Sequence, residues 1–448
     1  MASSRKLPLS ESDQLYDRFR QLALARCQSP ARVAVAYSGG LDSSVLLHLF
    51  ARLRAEQAFS LQAFHVHHGL SAHADAWLAH CAQVSAQLDI PFSSVRADLS
   101  ARSGAGLEAD ARAARYRAYA DLSVDWVALA HHQDDQAETV LYRLARGAGV
   151  QGAAGMPVQR ALAVDKQIWR PLLGESRASL LCYAQQQGLS WVEDESNARQ
   201  DFDRNYLRHA VMPALQARFP AAPAAIARAA RHFAEAASLL DELAQEDAGE
   251  VAPLSLDLAR LRPLPPARQR NLLRWFLARH ALRLEERQLH LLLDQVLHAR
   301  DDAMPFLRVA ERSVRRYRER LWVAILPPQV QNCVLSAPSD LPPDWCGELR
   351  WQRRNDGLAE GCWPGVQVRP RVGGERLKVR RGGPSRPVKD LLQEAGVPPW
   401  LRSYWPLLWR DEALLAVAGI AVAADYQVED GWWPIWLPQG WPSSAGMD

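Results

Sequence analysis

The sequence is poor in lysine and cysteine and has no long apolar run. Only four lysines (Lys6, Lys166, Lys378, Lys389) occur in 448 residues, so nearly all the positive charge is guanidinium. Arginine suits planar, bidentate contacts to phosphate and carboxylate, although genome base composition shifts the same ratio. The six cysteines (Cys27, Cys81, Cys182, Cys333, Cys346, Cys362) form no C-x-x-C pair and no cysteine–histidine zinc spacing. Neither a disulfide framework nor a structural zinc site is expected. No stretch of 18 apolar residues is present, and the opening MASSRKLPLSESDQ lacks the apolar core of a signal peptide. The expectation is a soluble cytoplasmic protein with no membrane role.

Net charge is also scarce. Lys+Arg total 53 against 50 Asp+Glu, a formal +3. That balance excludes a chain that coats nucleic acid with uniform positive charge. It does not exclude a local patch, and one exists. Between Arg369 and Lys389 eight residues are cationic (Arg369, Arg371, Arg376, Lys378, Arg380, Arg381, Arg386, Lys389) and one, Glu375, is anionic. Such a run is an electrostatic footprint for phosphate, or else a solvated surface strand. The remaining composition, 48% hydrophobic and 23% charged, is that of a globular chain. At roughly 100–200 residues per domain, two to four domains are expected.

Apolar runs at 32–37, 61–67, 92–96 and 126–130 alternate with helical patterns at 41–57, 73–88, 108–121 and 134–146. Strand alternating with helix predicts a parallel sheet covered by helices, an α/β fold of Rossmann-like type. The pattern fades after Trp191, and a last helix near Arg204–Arg218 closes a first domain, 1–220. Residues 221–330 are rich in Ala, Leu and Arg at helical spacing, which predicts an all-helical domain with a hairpin at 304–326. The Pro-rich stretch from Pro327 to Pro343 reads as part of a linker, 331–360. Residues 361–448 read as a small α+β domain. Ten of the 16 tryptophans fall in the last 108 residues, where core packing is their expected role rather than base stacking.

The sharpest chemical signal is Ser38-Gly39-Gly40-Leu41-Asp42-Ser43-Ser44, set between an apolar strand and an amphipathic helix. Glycines there let backbone N–H groups approach a polyphosphate, and the helix N-terminus adds partial positive charge. Ser38 and Ser43 add hydroxyls. Asp42 would repel phosphate unless it holds Mg²⁺ bridging the phosphates. The lysine of a Walker A loop is absent, which argues against γ-phosphoryl transfer. Gly147-x-Gly149-x-x-Gly152 matches a dinucleotide fingerprint by letter only. It follows a helix rather than a strand, and a mobile loop over the site is expected there instead.

The S-G-G-x-D-S loop resembles that of the N-type ATP pyrophosphatase (PP-loop) family. That resemblance implies cleavage of ATP between the α- and β-phosphates, adenylation of an oxygen and displacement of AMP by a nucleophile. Three further strings lie at or just beyond the ends of expected strands, where open α/β sheets bind ligands. They are His65-Val66-His67-His68-Gly69-Leu70, Gly106-Leu107-Glu108-Ala109-Asp110 continuing to Arg112, Arg115 and Tyr116, and His131-His132-Gln133-Asp134-Asp135-Gln136-Ala137-Glu138. Arg112 and Arg115 share a helix face suited to phosphate, and His131 and Asp135 share another. His67 and His68 could equally be packed core residues.

Together these strings resemble the tRNA(Ile)-lysidine synthetases. The likeness continues through Trp191-x-x-Asp194-x-Ser196-Asn197, Arg204-Asn205-x-x-Arg208, Arg371-x-Gly373-Gly374-Glu375-Arg376, Lys389-Asp390-Leu391-Leu392 and Val397-Pro398-Pro399-Trp400-x-Arg402. The resemblance implies ATP and Mg²⁺ as cofactors. It also implies a CAU-anticodon isoleucine tRNA and free L-lysine as substrates, and often a homodimer. The resemblance further implies that ATP adenylates the C2 oxygen of the wobble cytidine, and that the lysine ε-amine then attacks C2 and displaces AMP. On this reading Ser38, Gly39, Gly40, Leu41, Asp42 and Ser43 hold the pyrophosphate, and Asp42 and Asp135 bind Mg²⁺. Arg112 stabilises charge at the α-phosphate, His131 positions the metal or reacting groups, and Glu138 is the candidate base for the amine. RNA contacts fall to Arg115, Arg204, Arg208, Arg371, Arg376, Lys389 and Arg402. The rival is a PP-loop tRNA thiolation enzyme. Those usually need paired or catalytic cysteines, and here Cys81 and Cys182 stand alone.

Overall fold

A computed structural model describes residues 11–27, 31–69, 71, 73–97, 107–193, 203–250, 254–298, 306–309, 312–325, 330–339, 341, 345, 347–363 and 365–438. The chain divides into two compact units, 1–239 and 240–448.

The first unit is built on strands β1 (Arg32–Ala36), β2 (Ser60–His67), β3 (Phe92–Arg96), β4 (Trp126–Ala128), β5 (Gln159–Ala163) and β6 (Lys166–Trp169), in the order β3-β2-β1-β4-β6-β5. All neighbours run parallel except the β5–β6 edge pair. The period of two along β1 sends Val33 and Val35 to one face and Ala34 to the other. Val33 and Val35 join Leu15, Phe19, Leu46, Phe50, Trp169 and Tyr183 in one core. Ala34 joins Phe64, Tyr119, Val127 and Ile168 in a second. Both faces of the sheet are therefore covered, as a parallel sheet requires. The covering helices are α1 (Glu11–Leu24), α2 (Leu41–Arg54), α3 (Ala74–Gln87), α4 (Leu107–Ala120), α5 (Gln133–Ala145), the short α6 (Val150–Ala153) and α7 (Arg177–Gln186). The strand order reverses between β1 and β4. That reversal opens a crevice at their carboxyl ends, the usual ligand site of such sheets.

Strands and helices from residue 32 to 146 match the sequence reading to within a few residues, whereas α1 was not anticipated. The helix expected over 204–218 is interrupted: Asp203–Tyr206 and Met212–Arg218 are α-helical, and Leu207–Val211 form a π-helical turn. The β5–β6 hairpin was not anticipated, because Gln159–Ala163 is an exposed edge strand with no alternating pattern.

In the second unit, helices Pro266–Arg279 and Glu286–His298 pack Leu272, Phe276, Leu289 and Leu292 against Val314, Leu321 and Val323. The last three lie on a four-stranded antiparallel sheet, so this segment is helical with a sheet as one wall. The expected hairpin is present, pairing Arg312–Tyr317 with Arg320–Ile325. Residues 331–360 are not a linker. Cys333–Leu335 pair with Val366–Val368, and Gly347–Arg354 pair with Gly431–Pro438. Leu335, Trp345, Leu349 and Leu358 enter the C-terminal core with Trp405, Trp433 and Trp436. The prolines hid these strands, whose partners are distant in sequence. The tryptophans pack as expected.

Candidate active site

The glycine loop joins β1 to α2. Gly39 has φ +84°, the left-handed region that favours glycine. A Cβ there would lie 2.9 Å from Cys81 Sγ and 3.1 Å from Val192 Cγ2. The Gly39 carbonyl also accepts from the Val192 N–H at 2.9 Å, tying the loop to the segment after α7. Ser38 and Ser43 hydroxyls are 3.1 Å apart, and Ser43 donates to the Gly40 carbonyl at 3.0 Å. Gly40 is the N-cap of α2 and supplies no side-chain cap, so α2 opens with its backbone N–H groups toward a ligand. Gly39→Ala is expected to destabilise the protein by about 1–3 kcal/mol through the positive φ alone. Urea unfolding checks this, and an unchanged midpoint would mean that the turn relaxes.

Asp42 lies in the first turn of α2. Its Oδ1 is buried without a hydrogen-bond partner, and its Oδ2 is 3.6 Å from His132 Nε2. His132 follows β4 and caps α5: its N–H donates to Asp135 Oδ2 at 3.1 Å. Its ring also faces Asp134 (3.6 Å) and Asp135 (3.4 Å). Burial opposes charge on this ring, but Asp134, Asp42 and Asp135 outweigh it and raise the pKa to about 10. His132 thus stands between the two carboxylates predicted from the sequence, and its Nδ1 also accepts from the Asp135 N–H at 3.4 Å. His131, the residue chosen from the sequence, behaves differently. Desolvation pulls it down to about 3, against the pull of Asp135 and with the help of Arg170, Arg204 and Arg112. It is neutral, and its buried Nδ1 has no partner.

Glu138 is buried, and its two oxygens accept from Arg208 at 2.7 and 3.0 Å. Arg208 also reaches Asp135 Oδ1 at 2.9 Å, while Arg204 stands 3.5 Å from Glu138 and 3.7 Å from Asp135. A carboxylate held by a guanidinium is a poor proton acceptor. Glu138, expected as the free base, is held by Arg208. Arg204 and Arg208, expected on RNA, pair with Asp135 and Glu138. The π-helical turn brings both onto the same two carboxylates, one turn apart.

Arg112 is exposed on α4, with its Nη2 3.4 Å from the Tyr116 hydroxyl. Arg115 turns to His68, donating from Nε to Nε2 at 3.2 Å. Desolvation and Arg115 lower His68 to about 4, so it stays neutral. His65 bonds the Tyr37 carbonyl at 2.9 Å and His67 faces Asp75 at 3.1 Å, both packed at the end of β2. The expected mobile loop at Gly147–Gly152 is instead fastened. Gly149 caps α6, and Arg143 donates to the Gly152 and Gly155 carbonyls at 3.1 and 2.6 Å. Leu70, Gly106, Asp194, Ser196, Asn197, Cys346 and Trp441 lie outside the described residues, as does the Glu108 side chain.

In the second unit the basic run is partly neutralised. Arg371 pairs with Glu375 (3.3 Å), Lys378 with Asp425 (3.6 Å) and Arg386 with Glu394. Glu375 also accepts from the Val372 and Gly373 N–H groups at 2.6 Å each, which shapes the glycine turn. Arg376, Arg380, Arg381 and Lys389 remain exposed. Arg402, expected on RNA, donates to the Val397 carbonyl at 2.8 Å and to the Tyr317 hydroxyl at 3.5 Å.

No group of three or more His, Cys, Asp or Glu among the described residues forms a closed metal cage. No described helix is long and apolar enough to cross a membrane. Cys81 is buried and its thiol pushed up to about 12, so it carries no reactive thiolate.

Three family signatures match: a PP-loop domain over residues 12–215, a TilS substrate binding domain over 256–322 and a TilS substrate C-terminal domain over 366–436. The chain is similar to the tRNA(Ile)-lysidine synthase of Chromobacterium violaceum, 42% identical over 414 residues, covering 90% of this chain and 95% of that protein. It is 44% identical over 423 residues to the tRNA(Ile)-lysidine synthase of Pseudomonas putida, covering 88% and 94%. For that of Nitrosomonas europaea the figures are 39% over 443 residues, 96% and 96%.

Proposed function

We propose that this chain, which belongs to the tRNA(Ile)-lysidine synthase family, joins free lysine to C2 of the wobble cytidine of a CAU-anticodon isoleucine tRNA. ATP first adenylates the C2 oxygen, releasing pyrophosphate. The lysine ε-amine, having lost a proton, attacks C2, the C2–O bond breaks and AMP leaves. The carrying observation is the convergence of the Ser38–Ser43 loop, Asp42, His132 and Asp135 at the reversal of strand order. In-line attack on an α-phosphate needs the leaving pyrophosphate held still. The loop N–H groups and hydroxyls do this, and Arg112, exposed and with no ion pair among the described residues, offsets charge growing at the α-phosphate.

Asp42 is the residue that fits Mg²⁺, because its buried Oδ1 is a carboxylate oxygen with no partner. Bound there with ATP, Mg²⁺ would spread the charge of the leaving pyrophosphate. Asp135 fits less well as a second ligand. Its oxygens already accept from Arg208 and the His132 N–H. Neutral His131, with its free Nδ1, is suited to hydrogen-bond a reacting group rather than to store a proton.

The test is incubation with ATP, Mg²⁺, labelled lysine and unmodified CAU-anticodon isoleucine tRNA. Label entering the tRNA at position 34 is expected, and no label from a folded preparation would overturn the reading. Thiolation is not favoured, since Cys81 is an inert buried thiol and Cys182 is likewise raised in pKa. The exposed cations of the C-terminal run supply backbone contacts, which position an RNA without reading its sequence. Arg376→Ala and Lys389→Ala should each lower the salt dependence of tRNA binding by about one unit of slope. An unchanged slope would place the run in solvent.

A further inference from the structure

Tyr116, on α4, is surrounded by three guanidinium groups. Arg112 Nη2 lies 3.4 Å from its hydroxyl. Arg160, exposed on β5, stands over the ring at 4.6 Å. Arg170 directly follows β6, and its charge acts on the same phenol. Arg170 is 2% exposed. Its Nη1 donates to the Pro157 carbonyl at 2.8 Å, but its buried Nε has no partner.

Several arginines of this unit have counter-ions: Arg18 has Glu175, Arg32 has Asp125, and Arg204 and Arg208 have Asp135 and Glu138, whereas Arg26, Arg115 and Arg146 bond a carbonyl, His68 and Tyr142 singly. Among the described residues, Arg112, Arg160 and Arg170 have none. Three cations sharing one neutral phenol, one of them buried, leave charge uncompensated, which proteins avoid unless an anion binds. The field they create is consistent with this. Against the effect of burial, Arg112, Arg170 and Arg160 lower the pKa of Tyr116, and burial with the neighbouring cations lowers that of Arg170. Arg170 follows Trp169, which is in register with Ala128 of β4 and whose carbonyl accepts from the Leu129 N–H, so the cluster adjoins the β4 side of the cleft. The phosphate loop meets the cleft through His132.

We propose that Arg112, Arg160 and Arg170, gathered around Tyr116, form a second anion site that takes a singly charged phosphodiester next to the reacting base. The inference rests on the RNA-adenylation reading above. Two phosphodiesters occur in that reaction: the RNA backbone, and the α-phosphate once it links AMP to the base. Arg160, exposed on an edge strand, faces solvent where an RNA backbone can reach it, which favours the backbone.

The experiment uses the full chain, unmodified tRNA and ATP, with Arg160→Gln and Arg170→Gln. For a backbone phosphate, each variant weakens tRNA binding about tenfold at low salt and lowers the salt slope by about one. For the α-phosphate, binding and slope stay as in wild type, and pyrophosphate release at saturating tRNA falls at least about tenfold. Wild-type binding, slope and release in both folded variants would overturn the site. Arg170 is buried, so its variant could fail to fold; Arg160 is exposed on an edge strand and keeps the test decisive. Lysine incorporation by the wild type is measured alongside. Its failure, with tRNA binding still dependent on Arg160, would sink the ligation reading and leave the anion site standing.

Discussion

Asp42→Asn is expected to abolish pyrophosphate release, by about a thousandfold, while tRNA affinity stays close to wild type. Asparagine is nearly isosteric, so the α2 turn and its backbone donors should survive. What disappears is one negative charge, together with the single buried carboxylate oxygen free to meet a cation at the phosphates. His132 keeps Asp134 and Asp135 as neighbours, so the α5 cap is retained. The loss acts on charge that develops during the reaction rather than on ground-state RNA contacts, and such groups are worth several kcal/mol in the transition state. Rapid-quench pyrophosphate release and filter binding of the tRNA check both halves. A parallel fall in tRNA affinity or thermal stability would make Asp42 a structural residue instead.

The second large effect concerns the Arg208 clamp. Glu138 and Asp135 expose only 3% and 12% of their side chains. Arg208→Met leaves Glu138 with Arg204 alone, at 3.5 Å, and Asp135 with Arg204 at 3.7 Å and His132. Removing one partner of a buried pair costs about 3–5 kcal/mol, because the remaining charge has no solvent. For a unit of this size, 3 kcal/mol corresponds to a fall in Tm of roughly 6–12 °C. The double variant Glu138→Gln with Arg208→Gln should recover much of that loss, since neither residue then carries an unpaired charge. If the single variant melts within a degree or two of wild type, Arg204 or water already satisfies the carboxylates. If Glu138→Gln retains lysine transfer, its role is to position Arg208 rather than to accept the amine proton.

Much of the site could be read locally. The Ser38–Ser43 loop needs only a strand, a positive-φ glycine and a helix start, all within seven residues. Asp42, Arg112, Asp135 and Glu138 were found the same way, and all lie on helices flanking the β1 and β4 ends. His132 was passed over for His131 because two adjacent histidines look alike in one dimension. Only the cap geometry of α5 turns one toward three carboxylates and the other into a dry, neutral pocket. Arg160 and Arg170 carried no motif, and Arg204 and Arg208 were read as RNA contacts.

The sequence by itself determined the parallel-sheet unit, the phosphate loop and the identity of the family. Those depend on alternation, turn chemistry and short strings, which are properties of neighbours in the chain. Only the tertiary structure decided which charges are satisfied. Arg208 finds Glu138 across 70 residues, and Arg170 meets Tyr116 across 54 without finding a carboxylate. The C-terminal domain likewise takes in Gly347–Arg354 through pairing with Gly431–Pro438. The near-zero net charge says nothing of this, because electrostatic energy depends on the distances between charges and on their burial, and a sum over the chain contains neither.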